Sequence, residues 1–369
     1  MRDKGAWSSR SYESTHSEVK REGSATYKGE QRAKQGKGLD SLVDPKTHDG
    51  YRESNNLLVP KGNKFLLKEN IAMPVMTGLD TTGSMGDNVN IAFSVLPDLL
   101  KLLVLDERAV LRNRYHTQIC TSVIQDIADN FPFQISEFEP DNEVEKQMQL
   151  LVPESQGGDN TEDYQISLYA AAFRVKTSIV KYSLKGYYFI VGDEIGREQL
   201  TVSDARKIFG DVDMPQSDIP VRTLGKTVLS KWHAFFLQVG GSGYITDYWA
   251  KIFGKERTVL LPHTEDLAQV QAVIIGLTEG IFDLQNAADF LCEVASTKKE
   301  KARQIVRAVS NIPLRAQADL PNFKKLPRAG SLFASREDVW PIDHNAGDDE
   351  SSLASAVSVS ASEEIDWQL

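Results

Sequence analysis

The chain is expected to be an α/β protein with a doubly wound, mostly parallel central sheet flanked by helices, and three observations point there. Five nearly continuous apolar runs recur along its middle: IAMPVM (71–76), QICTSVI (118–124), YYFIVG (187–192), HAFFLQVG (233–240) and RTVLLP (257–262). Unbroken runs of this length suit strands buried on both faces. Helical periodicity fills the spaces between and after them, at 86–104, 141–151, 161–180, 201–209, 245–253 and 264–279. Gly78, Gly192 and Gly240 close three of the runs, where the chain must turn sharply. Strands alternating with helices in this way favour a parallel sheet covered on both sides.

The elements fall into four regions. Residues 1–55 are rich in Ser, Gly, Lys, Glu and Gln with hardly an apolar cluster. Such a segment buries too little surface to offset its ordering entropy, so it reads as a disordered arm or one ordered only by a partner. Residues 56–282 hold the α/β domain, within which FQISEFE (133–139) reads as a hairpin partner of 118–124. Two further helices, DLQNAADFLCEVA and KKEKARQIVRAVSNI, form a helical extension over 283–333. Residues 334–369 are an acidic, Ser/Ala-rich tail, read as disordered, whose end carries Ile365, Asp366, Trp367 and Leu369. A tail of that kind offers a possible docking peptide for a second partner.

Charge and composition exclude several classes. The net charge is −10, with +2 on residues 1–55, −9 on 337–369 and only −3 on the domain between. A nearly neutral domain argues against nucleic acid as its main partner. No uninterrupted apolar run of about 18 residues occurs, so no membrane span is expected. The start, MRDKGAWSSRSYES, lacks the apolar core of a secretory signal. Two cysteines, Cys120 and Cys292, suit buried thiols in a reducing compartment, and a cytoplasmic location is the expectation.

The stretch TGLDTTGSMGDN (77–88) concentrates the chemistry. It follows a strand and precedes a helix, the edge at which open parallel sheets bind ligands. In an extended loop the alternation of Asp80, Thr82 and Ser84 would point all three side chains one way, and Gly83 permits the close turn between them. One carboxylate and two hydroxyls are hard oxygen donors, suited to Mg²⁺, Mn²⁺ or Ca²⁺ rather than zinc. The plainer alternative is that Ser84 or Asp87 caps the helix and Asp80 braces the turn. Two other loops, GGDNTEDY (157–164) and VGDEIG (191–196), place carboxylates at the same edge.

On these three loops the chain resembles the von Willebrand factor A (VWA) domain with its metal-ion-dependent adhesion site, in the intracellular prokaryotic-type branch. Asp80, Thr82 and Ser84 match the family's D-x-S-x-S motif, with Thr replacing the first Ser. The family's second contribution, a Thr in a Gly-rich loop, falls on Asp159 or on Thr161, and its third falls on Asp193. The likeness covers about residues 68–282 and neither tail. It implies that Thr82 and Ser84 give hydroxyl oxygens to Mg²⁺ while Asp80 and Asp193 hold its water ligands. It further implies a protein partner whose Asp or Glu side chain completes the coordination. The function expected is therefore a metal-dependent protein–protein interaction module, not an enzyme. An accessory subunit of an AAA+ ATPase or kinase system is the alternative.

Other signals are weaker. RTLGKT (222–227) lacks the Gly of a phosphate-binding loop, because Pro220 occupies its position, and reads as a turn opening a helix. VGGSGYITDYW (239–249) lacks dinucleotide-binding spacing and reads as a strand end. His233, beside Trp232, reads as structural. Asp159, Glu162, Asp163, Asp193 and Glu194 could be imagined as a metal hydrolase, but hydroxyl-rich sites activate water poorly.

Overall fold

The computed structural model describes residues 9–47, 51–52, 57–154, 161–211, 214–335 and 337–339. Six strands build one sheet: β1 (Ala72–Asp80), β2 (His116–Ile124), β3 (Phe133–Ile135), β4 (Gly186–Gly192), β5 (Trp232–Gln238) and β6 (Thr258–Leu260). Their spatial order is β6-β5-β4-β1-β2-β3. All neighbours are parallel except β3, which returns antiparallel to β2 with Ser122 opposite Ile135. The expected hairpin is therefore present. β1 runs beyond its apolar stretch, so that Asp80 is itself the last strand residue.

The unbroken apolar runs are explained by two cores. Side chains alternate across a strand, and Tyr187, Phe189 and Val191 join one buried cluster while Tyr188 and Ile190 join the other. Eight helices are labelled here: α1 (Asn88–Leu100), α2 (Tyr164–Tyr169), α3 (Val202–Phe209), α4 (Val221–Lys231), α5 (Gly243–Phe253), α6 (Leu267–Thr278), α7 (Leu284–Glu293) and α8 (Lys299–Ala308). Residues of α1, α6, α7 and α8 belong to the first core, and those of α2, α3, α4 and α5 to the second. The sheet is thus wound on both faces. The stretch Asn88–Leu105, α1 with its continuation, is long and apolar enough to cross a membrane, yet half of it is buried inside the fold.

This winding creates a switch point. From β1 the chain passes through α1 to β2 on one side, whereas from β4 it passes through α3 and α4 to β5 on the other. Right-handed crossovers running in opposite directions must put their helices on opposite faces. The carboxyl ends of the adjacent strands β1 and β4 therefore flank an open crevice.

Several elements differ from expectation. Within the N-terminal region, residues 9–47 carry helices Ser9–Glu22 and Tyr27–Lys34 and lie against the α/β domain. Gly29 N–H donates to the Gln149 carbonyl at 2.8 Å, and Ile135 N–H donates to the Val43 carbonyl at 3.1 Å. The segment needs no core of its own because Tyr27 and Val43 borrow the domain's. Gly29 fits because any Cβ there would lie 2.1 Å from the Leu151 carbonyl oxygen. RTLGKT sits inside α4 instead of opening a helix, with Gly225 against Ile252. The helical extension shares the first core through Ala287, Leu291, Ala302 and Ile305. Finally, Leu332–Phe333 pairs with Lys64–Leu67, which pairs with Leu58–Lys61, in a small antiparallel sheet.

Candidate metal centre

The first loop converges, though by a different path from the one its alternation suggests. After β1 the chain makes a 3₁₀ turn at Gly83–Met85 before α1 starts at Asn88. Asp80 is wholly buried, and its Oδ1 accepts from the Thr82 backbone N–H at 2.9 Å and from the Thr82 hydroxyl at 2.7 Å. The Thr82 and Ser84 hydroxyl oxygens lie 3.2 Å apart. Ser84 then donates to Asp193 Oδ1 at 2.9 Å, joining the loop after β1 to the loop after β4. Asp87 stands at the start of α1 without a side-chain cap bond, and Ser84 faces Asp193, so neither acts as the helix cap.

The other oxygen of Asp80 accepts from the Tyr164 hydroxyl. Tyr164 is the first residue of α2 and is wedged edge-on against Trp249 and Phe236. Gly192, which ends β4, makes room for it: a Cβ there would stand 1.9 Å from the Tyr164 hydroxyl oxygen.

The second loop contributes a residue outside the expected ligand set. Asp159 lies outside the described residues. Thr161 is turned away, its hydroxyl accepting from Arg197 Nη1 at 3.3 Å. Glu162 instead lies close to Asp80, Thr82 and Asp193, as their mutual electrostatic influence records. Two backbone hydrogen bonds fix it there: Glu162 N–H donates to the Ile195 carbonyl at 3.0 Å, and Arg197 N–H donates to the Glu162 carbonyl at 3.2 Å. This short bridge replaces the first turn of the helix expected from 161, and α2 starts only at Tyr164.

The electrostatics of the crevice are one-sided. Burial is the main cause raising the carboxyl of Glu162 to about 8, with Asp80, Asp126 and Asp193 adding repulsion. Burial likewise raises Asp80 to about 6, partly opposed by the hydrogen bonds from Tyr164 and Thr82. Asp193 is also shifted up by burial, against its hydrogen bond from Ser84. Among the described residues no Lys or Arg pairs with any of the three. One oxygen of Glu162, Oε2, is buried without a hydrogen-bond partner.

These features fit a small hard cation. The donors are carboxylate and hydroxyl oxygens only, the set favoured by Mg²⁺, Mn²⁺ and Ca²⁺. The orphaned Glu162 oxygen and three mutually repelling carboxylates are what a positive charge would relieve. Among the described residues no group of three or more His, Cys, Asp or Glu stands ready as a metal cluster, so any such site depends on the hydroxyls as well. Elsewhere, His233 is buried with its Nε2 2.9 Å from Gln317 Oε1, a structural role. Cys120 is buried, Cys292 is half-buried, and both are free thiols.

No family model and no curated protein sequence matches the chain. Solved structures similar to it include proximal thread matrix protein 1 from the mussel byssus, 10% identical, with 56% of this chain and 46% of that one covered and a TM-score of 0.37. A second structure of that byssus protein, described as having a zinc-occupied MIDAS motif, is 12% identical, covers 56% and 48%, and has a TM-score of 0.33. The pilus adhesin SpaC from Lactobacillus rhamnosus GG is 14% identical over 58% of this chain and 32% of that one, with a TM-score of 0.35. The chain thus spans less than half the length of each of these proteins.

Proposed function

We propose that the chain is a VWA-type, metal-dependent interaction module that captures an acidic side chain of a protein partner. The observation that supports this most is the meeting of three loops at the β1/β4 switch point. They bring two hydroxyls and three carboxylates together with no basic side chain among the described residues to balance them.

In this reading Thr82 and Ser84 give hydroxyl oxygens to a divalent cation of the Mg²⁺ type, with Mn²⁺ or Ca²⁺ as substitutes. Asp80 and Asp193 orient those hydroxyls and the cation's waters through charge-assisted hydrogen bonds. Tyr164 holds Asp80 in place, its own hydroxyl kept protonated because burial and the neighbouring carboxylates push its pKa far up. Glu162 adds negative charge from the second loop, the part given to Thr161 or Asp159 by the family pattern. When bound, the cation supplies an oxygen-seeking charge with an exchangeable position, which a partner's Asp or Glu would fill. The two free thiols favour a reducing compartment such as the cytoplasm.

Calorimetric titration with Mn²⁺ and Mg²⁺ tests the site: one binding event in the wild type and none in Asp80→Ala. Partner retention on the immobilised protein should then vanish both in EDTA and in Asp80→Ala. Retention that survives both treatments would remove this reading.

A further inference from the structure

A separate cleft of about 400 Å³ lies where the N-terminal helix Ser9–Glu22 approaches α1 and the short helix Glu143–Met148. None of the switch-point residues lines it. Its walls are apolar, from Val19, Ala25, Phe93, Pro97 and Met148. One carboxylate, Glu145, belongs to this lining, and only 5% of the residue is exposed.

Glu145 makes no side-chain hydrogen bond or ion pair among the described residues, and its Oε2 is buried and unsatisfied. Burying a carboxylate in apolar surroundings without a partner is costly. Such groups are ordinarily paired or keep their proton; burial raises this carboxyl to about 7, so above that pH it stands ionised without a partner among the described residues. Two charges that bear on it, Asp98 and Glu18, are also negative. The rim carries His16 and Lys20, both exposed to solvent, and the exposed Ser94 sits at the mouth.

We propose that this cleft binds a small organic amine, a protonated ammonium on an apolar body, with the ammonium paired to Glu145. The volume falls in the range of small-molecule sites, and an apolar lining with one placed polar group is their usual chemistry. The apolar body rests on Phe93, Pro97 and Met148, and the ammonium donates to the carboxylate that no described residue satisfies. The charge of the carboxylate sets the sign of the ligand, and the negative charges of Asp98 and Glu18 act in the same direction. The N-terminal segment, ordered on the domain, forms one wall, so occupancy also fastens that segment down.

The test is calorimetric titration of the full chain at about pH 8 with 2-phenylethylamine, against 2-phenylethanol as its uncharged counterpart. The amine should bind with one site while the alcohol binds at least about tenfold more weakly, as loss of a charge-assisted bond implies. Glu145→Gln should weaken the amine about tenfold and leave the alcohol unchanged. Ser94→Trp, at the exposed mouth, should block both while the thermal melting of the protein stays as in the wild type. Equal binding of amine and alcohol, wild-type amine binding by either variant, or no heat with the amine at about 10 mM would overturn the proposal.

Discussion

Glu162 and Asp163 are neighbours in sequence, both carboxylates, both buried at 4% and 0% exposure, and they meet opposite fates. Asp163 accepts from the Ile127 backbone N–H at 2.7 Å, from Gln165, and from Arg197 Nε at 2.9 Å. Glu162 has no basic partner among the described residues, and one of its oxygens is orphaned. Their surroundings differ because Glu162 is bridged to Gly196, whereas the chain turns at Asp163 into α2. Arg197 serves the inner carboxylates, Asp163 and Asp126, and turns its remaining donors to Thr161. The lesson is that a carboxylate-rich loop contains two kinds of acid. One kind holds the loop together, and the other is left unbalanced at the crevice.

The sharpest way to break that contrast is Arg197→Ala. It strands two buried carboxylates and should cost about 3 kcal/mol of unfolding free energy, somewhat under a fully buried pair because Arg197 is 31% exposed. Urea denaturation measures it. Asp80→Ala acts on the other side of the divide: it should remove the Mn²⁺ binding event from calorimetry, a loss of affinity of about 100-fold or more. Gly192→Ala forces Tyr164 off Asp80 and should cost about 2 kcal/mol in the same urea experiment, with cation affinity falling too. Glu162→Gln should weaken the cation by about tenfold while leaving the metal-free fold intact or firmer.

A last test is a pH trend in EDTA. The folded Glu162 carboxyl, raised from 4.5 to about 8, holds its proton more tightly than the unfolded chain does. Linkage then requires its contribution to stability to be full below the unfolded value and lost as pH rises through the folded one. Urea midpoints between pH 5 and 8 should therefore decline more steeply in the wild type than in Glu162→Gln. Identical slopes would mean that Glu162 is not the strained acid described above.

Much of this was legible in the residues. The five apolar runs located five of the six central strands, because strands buried on both faces need no polar interruption. Asp80 ends β1, Asp193 follows β4, and Ser84 lies in the turn after β1, so their meeting at one edge follows from where the strands end. Glu162 and Tyr164 were not, since the register of an irregular loop follows from cross-loop backbone bonds such as Glu162 to Ile195, which leave no periodicity. α4 hid behind RTLGKT, whose glycine looks like a breaker but is kept for contact with Ile252. The ordered residues 9–47 were hidden for a related reason. Few apolar side chains suffice when a neighbouring surface already provides the core.

The hydrogen bond from Ser84 to Asp193 joins residues 109 apart in the chain. Everything from α1 to β4 must be placed before that bond closes, so the crevice is among the last features a folding chain can complete. No fragment ending before residue 193 can carry it. A cation bound there would therefore stabilise the sheet as a whole, by about 2.7 kcal/mol when present at 100 times its dissociation constant. Melting temperature as a function of free Mn²⁺ thus becomes a reading of site occupancy that needs no partner at all.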